Sequence, residues 1–217
     1  MSERQIEAVV VVAGGPPPLA SWKAVLPSGA VVVAADRGVR HALALGLRVD
    51  VAVGDFDSIS ADELAAVERS GGRIERHPTD KDMTDLELAL AVALRFGPRR
   101  ILVVGGAGGR LDHLFGELSL LAADAYGVVE VDALLGRARA HVVRGERTLV
   151  GRVGESISLF AMHGPAIGVS TEGLLYPLRE ETLEAASSRG ISNSFTDTEA
   201  RIKVKNGVLL AIRAGSG

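Results

Sequence analysis

The sequence predicts an α/β protein: a mostly parallel, Rossmann-like sheet domain followed by a small all-β sandwich. Three observations carry that prediction. Up to about Asp132, short β-branched runs alternate with segments of helical spacing. Each of those runs ends in Gly or Asp, the residues that turn a chain out of a strand. Beyond Asp132 the helical spacing gives way to short strand patterns between Gly turns. Strand–helix alternation favours a parallel sheet covered on both faces, and closely spaced strands favour a sandwich or barrel. The boundary falls near Leu135-Gly136, assigning residues 1–135 to the α/β domain and 136–217 to the β domain.

In chain order, the β-branched runs at 8–13, 30–34, 49–53 and 101–104 predict strands. Helices are predicted over 38–45, 61–69, 84–96 and 111–126. In the third, Leu86, Leu90 and Leu94 recur every fourth residue; in the last, Leu111, Leu114, Leu118 and Leu121 share one face. The second part offers strands at 140–143, 156–160, 167–170, 201–205 and 208–212. Lys205-Asn206-Gly207-Val208 carries the Asn-Gly signal of a hairpin.

Composition narrows the function classes. The 217 residues are 47% hydrophobic with only 4% aromatic, so the core is built from Val, Leu, Ile and Ala. A net charge of −3 argues against a broad nucleic-acid surface, though not against a local pocket for one nucleotide. With no cysteine, disulfides, thiolate catalysis and Cys-ligated zinc are excluded, which fits a cytoplasmic protein. The apolar run at 8–13 is too short to span a membrane and is followed by Gly14-Gly15-Pro16-Pro17-Pro18, so a buried first strand is the better reading.

Three acidic segments flank turns. In Gly54-Asp55-Phe56-Asp57-Ser58, two carboxylates stand two apart after a strand and can face one cation. Hard Mg²⁺ takes a few carboxylate oxygens and keeps the rest of its shell for water and phosphate. The plainer alternative is a turn with Asp57 or Ser58 capping the next helix. Asp80-Lys81-Asp82-Met83-Thr84-Asp85 crowds three acids around one lysine, and Thr84 with Glu87 fits a capping box. The box explains Thr84 but not the acids, and Asp85 is the one most suited to metal or phosphate. Gly105-Gly106-Ala107-Gly108-Gly109 follows a strand and lets backbone N–H groups approach an anion. Arg110 adds a fork suited to phosphate and Asp112 another acid; the alternative is that the two pair on the surface. Asp36-Arg37-Gly38 repeats the theme after the second strand, where an acid beside a helix N-terminus is an equally simple reading. Gly190-Ile191-Ser192-Asn193-Ser194-Phe195 reads by itself as a polar loop.

Gly54 to Ile59, Lys81 to Asp85, Gly105 to His113, the run Thr171-Glu172-Gly173-Leu174-Leu175-Tyr176-Pro177-Leu178 and Gly190 to Asn193 occur in that order. The succession resembles the thiamine pyrophosphokinase (thiamine diphosphokinase) family from about Val9 onward. The resemblance implies an α/β domain and a β-sandwich, and transfer of pyrophosphate from ATP to thiamine, giving thiamine diphosphate and AMP. It implies Mg²⁺ as cofactor, held with ATP by Asp55, Asp57 and Asp85, which with Arg110 form the catalytic set. ATP contacts are implied for Asp36, Lys81, Thr84, Arg110 and Asp112. Thiamine contacts are implied for Tyr176, Ser192 and Asn193. A homodimer with shared sites is implied, with neither nucleic acid nor membrane as partner. Tyr176 stands where some members carry Trp, and Ser194 where Glu is frequent. Two rivals are a Mg²⁺-dependent pyrophosphokinase for another alcohol such as a hydroxymethylpterin, against which the turn Gly190–Asn193 and Tyr176 favour thiamine, and a nucleotide- or thiamine-binding regulator without turnover.

Overall fold

A computed structural model describes residues 6–215. The chain forms two compact units: one runs to Glu117 and takes in Val129–Gly136, and the other comprises Leu118–Val128 and the chain from Arg137 on.

The first unit is mixed α/β. Its strands are β1 (Ala8–Val12), β2 (Val31–Ala35), β3 (Val51–Gly54), β4 (Arg73–Arg76), β5 (Arg100–Gly105) and β6 (Glu130–Leu135). They pair in the order β4-β3-β2-β1-β5-β6, every pair parallel. Such strands are buried on both faces, which is why they read as unbroken apolar runs. Val10, Val12, Ala34 and Ala52 pack against Val39 and Ala42 of helix α1 (Gly38–Ala44) and Leu64 and Val67 of α2 (Ala61–Arg69). Helix α3 (Asp85–Leu94) packs on β1, β2 and β3 and buries Leu86, Ala89, Leu90 and Ala93.

Two expectations change here. Strands β4 and β6 were hidden in the sequence because polar residues break their apolar runs. β4 is Arg-Ile-Glu-Arg with both ends exposed, an edge strand. In β6 the acid Asp132 is only 2% exposed and is held by Arg100 at 2.6 Å on the neighbouring strand. The last predicted helix of this part stops early. Helix α4 covers Leu111–Leu121, and a separate 3₁₀ turn forms at Asp124–Tyr126. Of its four-leucine face only Leu121 is buried, and Leu111 is 78% exposed.

The second unit is β-rich. It contains β7 (Ala138–Val143), β8 (Glu146–Val150), β9 (Ser156–Glu172), β10 (Glu181–Leu183), β11 (Asn193–Ser194), β12 (Glu199–Lys203) and β13 (Asn206–Arg213). The two strands predicted at 156–160 and 167–170 are one 17-residue strand, β9, with His163 and Gly164 at positive φ near its middle. Its first part pairs with β13, which pairs with β7; its end pairs with β12, which pairs with β8. Leu159, Val169, Phe195, Ile202 and Leu209 share one core between these strand sets. That connectivity corrects the Asn-Gly expectation. β12 and β13 do not pair with each other; Asn206-Gly207 carries the chain from one strand set to the other and makes a register shift at the start of β13. Gly207 has φ +91, and a Cβ there would lie 2.5 Å from the Pro165 carbonyl oxygen. The dipeptide thus supplies a positive φ and a close backbone approach, not a two-residue hairpin. Beside this core Arg213 and Glu155, 8% and 10% exposed, form an ion pair at 2.7 Å, and the Arg213 guanidinium lies 5.3 Å from the Phe195 ring.

Candidate active site

The parallel sheet sets out its loops at the carboxyl ends of the strands, where open α/β sheets bind ligands. Strand order turns at β1, which has β2 on one side and β5 on the other. The loops leaving β1 and β5 meet there: the Gly106 N–H donates to the Pro16 carbonyl at 2.8 Å. A Cβ on Gly106 would lie 2.5 Å from that oxygen, so glycine is required for the approach. Gly108 and Gly109 follow at φ +106 and +76.

The acids come from the ends of β2 and β3. Asp36, Asp55 and Asp57 each place a carboxylate oxygen within 4.8 Å of the others. Their placement rests on unusual backbone: Asp36 has φ 42 and Phe56 φ 61, left-handed values that non-glycine residues rarely adopt. Gly38 lets α1 approach β1 just beyond Asp36, since a Cβ there would sit 2.0 Å from the Val12 carbonyl oxygen. Ser58 Oγ donates to Asp36 Oδ2 at 2.6 Å, while Asp36 Oδ1 is buried and accepts no hydrogen bond. A carboxylate oxygen left bare beside two further acids matches the needs of a cation.

Asp85, expected in this cluster, stands outside it. It begins α3 and meets Lys81 Nζ at 3.1 Å; Lys81 also lies 3.7 Å from Asp55. Lys81 is therefore a cation between two of the expected acids. Burial pushes the Asp85 carboxyl above its ordinary range; Lys81 opposes this, and the charges of Asp55 and Asp36 add to the rise. Asp36, which the sequence placed only among nucleotide contacts, takes the third position: it stands at φ 42 with its carboxylate bonded to Ser58 of the loop after β3. Nothing in the sequence marks that backbone value.

The capping alternative for Asp57 and Ser58 is not what forms. Ser60 caps α2 in a full capping box with Glu63, and the Ser-x-x-Glu pattern is its signal in the sequence. Arg40 binds Glu63 at 2.6 Å, and that pairing with the Ser60 cap lowers the Glu63 pKa to about 2. Thr84 Oγ1 accepts the Glu87 N–H at 3.2 Å, one half of the predicted box. Asp80 and Asp82 are exposed. Arg110 and Asp112 form a forked pair with each other, at 3.2 and 2.6 Å, and both are largely exposed.

In the second unit, Tyr176 and Asn193 line one open pocket of about 340 Å³ with Leu178, Ser188, Arg189 and Ile191. Ser192, at φ 59, is exposed and its N–H donates to Ser158 Oγ. Asn193 is 4% exposed, and its side-chain amide is spent on backbone: Oδ1 accepts from the Tyr176 and Ser194 N–H groups and Nδ2 donates to the Tyr176 carbonyl. Arg189, on the pocket wall, forks onto Glu181 at 2.9 Å.

A parallel sheet with acids and glycine turns at its carboxyl edge is the architecture of nucleotide- and phosphate-handling α/β proteins. Comparison with known proteins narrows that class. The family model described as "Thiamin pyrophosphokinase, catalytic domain" matches residues 22–128, and "Thiamin pyrophosphokinase, vitamin B1 binding domain" matches residues 141–209. The chain belongs to the thiamin pyrophosphokinase family. It is similar to the thiamine pyrophosphokinase of Bacillus subtilis (strain 168), 26% identical over 215 residues, 96% of this chain and 99% of that protein. Thiamine pyrophosphokinase 1 of Oryza sativa subsp. japonica is 28% identical over 165 residues, 70% of this chain and 61% of that one. The crystal structure of the Geobacillus thermodenitrificans thiamin pyrophosphokinase superposes with a TM-score of 0.80 at 26% identity, covering 97% of this chain and 98% of that one. The Bacillus subtilis crystal structure has the same fold, with a TM-score of 0.84 at 24% identity over 97% and 100% of the two chains. No helix among the described residues is long and apolar enough to cross a membrane.

Proposed function

We propose that this chain transfers the terminal pyrophosphoryl unit of ATP to the hydroxyethyl oxygen of thiamine, releasing AMP and thiamine diphosphate. One observation carries the reading: the acidic cluster lies within the stretch matched as catalytic domain, and a pocket of small-molecule size lies within the stretch matched as vitamin B1 binding domain. A regulator without turnover would need neither the intact acids nor their strained backbone, and no feature of the second unit favours a pterin.

In the reaction an alcohol oxygen bonds to the β-phosphorus, the bond from that phosphorus to the bridging oxygen breaks, and AMP leaves with the bridging oxygen. The alcohol proton passes to a carboxylate or to water. Little covalent chemistry falls to the protein, which aligns the two oxygens and offsets charge. Asp55 and Asp57 would hold Mg²⁺ with Asp85, and Asp36 joins them as a further partner; the bare Asp36 Oδ1, the mutual 4.8 Å spacing of Asp36, Asp55 and Asp57, and the buried Asp85 Oδ1 fit such an ion. Bound there, Mg²⁺ supplies positive charge to the phosphate oxygens. Lys81, released from Asp55 and Asp85, would turn to phosphate, and Arg110 would exchange Asp112 for the nucleotide. Thr84 and Asp112 flank the same loops. Tyr176 and Ser192 would face thiamine.

The first unit is Rossmann-like on this reading, the second a sandwich, and the functional divide stands near Leu135. The enzyme works in the cytoplasm as a homodimer sharing its sites. The exposed Leu111 and Phe115 of α4, 78% and 71% accessible, are suited to a subunit contact. Incubation with ATP, Mg²⁺ and thiamine, followed by chromatography, tests the activity. AMP and thiamine diphosphate in equal amounts are expected; AMP with a pterin alcohol but none with thiamine would overturn it.

A further inference from the structure

Asn193 stands at the point where a strand pairing ends. Leu174 pairs with Phe195, and the Leu175 N–H donates to the Ser194 carbonyl at 2.9 Å. Further along, the pairing cannot continue through backbone, because Pro177 has no N–H. Asn193 fills the gap. Its amide gives the Tyr176 N–H an acceptor at 3.0 Å and the Tyr176 carbonyl a donor at 2.8 Å, as a peptide group would. Two N–H groups converge on Oδ1 and a carbonyl faces Nδ2, so the amide has a single workable orientation. Tyr176 beyond this clamp is 59% exposed on the pocket wall, so its backbone determines where its ring stands.

We infer that Asn193 is a positioning residue: it acts on the substrate through Tyr176, extending the strand pairing by one side-chain amide, and does not itself bind thiamine. The inference rests on the reading of this pocket as the thiamine site. A buried amide with both ends committed to backbone has little left to offer a ligand, whereas the ring it positions is open to one.

A double-mutant cycle decides. Asn193→Asp keeps the shape and the two accepted bonds but sets an oxygen against the Tyr176 carbonyl. Alone, it should raise KM for thiamine by about tenfold, with KM for ATP within about twofold and kcat little changed. In a Tyr176→Ala background the same substitution should add less than about twofold, because the ring it positions is gone. A full tenfold effect persisting in that background would show direct contact and overturn the inference. If Tyr176→Ala alone leaves KM for thiamine unchanged, the pocket is not the thiamine site and both readings fall. A measurement on the wild type covers the case in which Asn193→Asp does not fold. On adding thiamine, Tyr176 ring protons should shift by NMR while the Asn193 side-chain amide protons keep the slow exchange of their bond to the Tyr176 carbonyl; an unmoved Tyr176 ring, or an Asn193 amide released from that carbonyl, overturns the inference.

Discussion

Ser58→Ala removes one hydroxyl, and its effect should depend on whether a divalent cation is present. Ser58 Oγ donates to Asp36 Oδ2 at 2.6 Å, and the other oxygen of that carboxylate is buried and bare. Without the hydroxyl, Asp36 faces Asp55 and Asp57 with neither oxygen bonded. A hydrogen bond to a charged group contributes about 1.5–3 kcal/mol. At roughly 2–4 °C per kcal/mol for a chain of this size, the melting temperature should fall by roughly 3–12 °C in EDTA. With excess Mg²⁺ a cation among the carboxylates would take over the task of the hydroxyl, and the deficit should shrink. Trp22, the single tryptophan, lies in the same unit, with Nε1 donating to the Gly136 carbonyl at 2.7 Å, so its fluorescence follows unfolding there. A variant melting within about 1 °C of wild type in EDTA would refute the role given to Ser58. A deficit of the same size with and without Mg²⁺ would refute the placement of the cation.

Two further predictions concern the rim. Arg110→Lys should lower kcat/KM for ATP by more than about twofold while leaving stability unchanged, because an exposed pair with Asp112 contributes little to folding and only the planar fork can hold two phosphate oxygens; steady-state kinetics and a thermal melt check both halves. Glu63 has a folded pKa lowered to about 2 by Arg40 and the Ser60 cap, so its stabilisation is present above the unfolded value near 4.5 and lost as pH falls through about 2. Glu63→Gln should flatten that part of the stability–pH curve, by less than about 1 kcal/mol since the pair is partly exposed; an unchanged slope in acid denaturation would contradict it.

The sequence was most legible where one physical cause dominated. Runs buried on both sheet faces announced β1, β2, β3 and β5, and the capped, leucine-rich α3 announced itself. It was least legible where tertiary partners override local pattern. β6 carries Asp132, tolerable inside because its charge is paired, Arg100 lying beside it. Asn206-Gly207 has the local chemistry of a hairpin, yet long-range pairing with β9 and β7 uses it as a crossing. The site shows the same split. Asp55 and Asp57 were legible as two acids following a strand, but β3 ends at Gly54, and the left-handed Phe56 between them and the left-handed Asp36 that joins them are features only the folded chain reveals. Asn193 read by itself as part of a polar loop, and only the family resemblance gave it a ligand; that its amide is committed to backbone shows in the folded chain alone.

The central claim is that a carboxylate-held cation supports pyrophosphoryl transfer to thiamine, and Asp57→Asn tests it most directly. Asn keeps the size and the hydrogen-bonding capacity but removes a metal-directed charge, and Asp57 caps no helix, since Ser60 does. The measurement is AMP and thiamine diphosphate formed from ATP and thiamine across a Mg²⁺ titration, for wild type and variant of matching circular dichroism. Equal amounts of both products are expected from wild type, none without Mg²⁺, and a loss of at least about a hundredfold in the variant, roughly 2.7 kcal/mol, only partly restored by high Mg²⁺. Undiminished turnover by Asp57→Asn at saturating Mg²⁺ would contradict that claim.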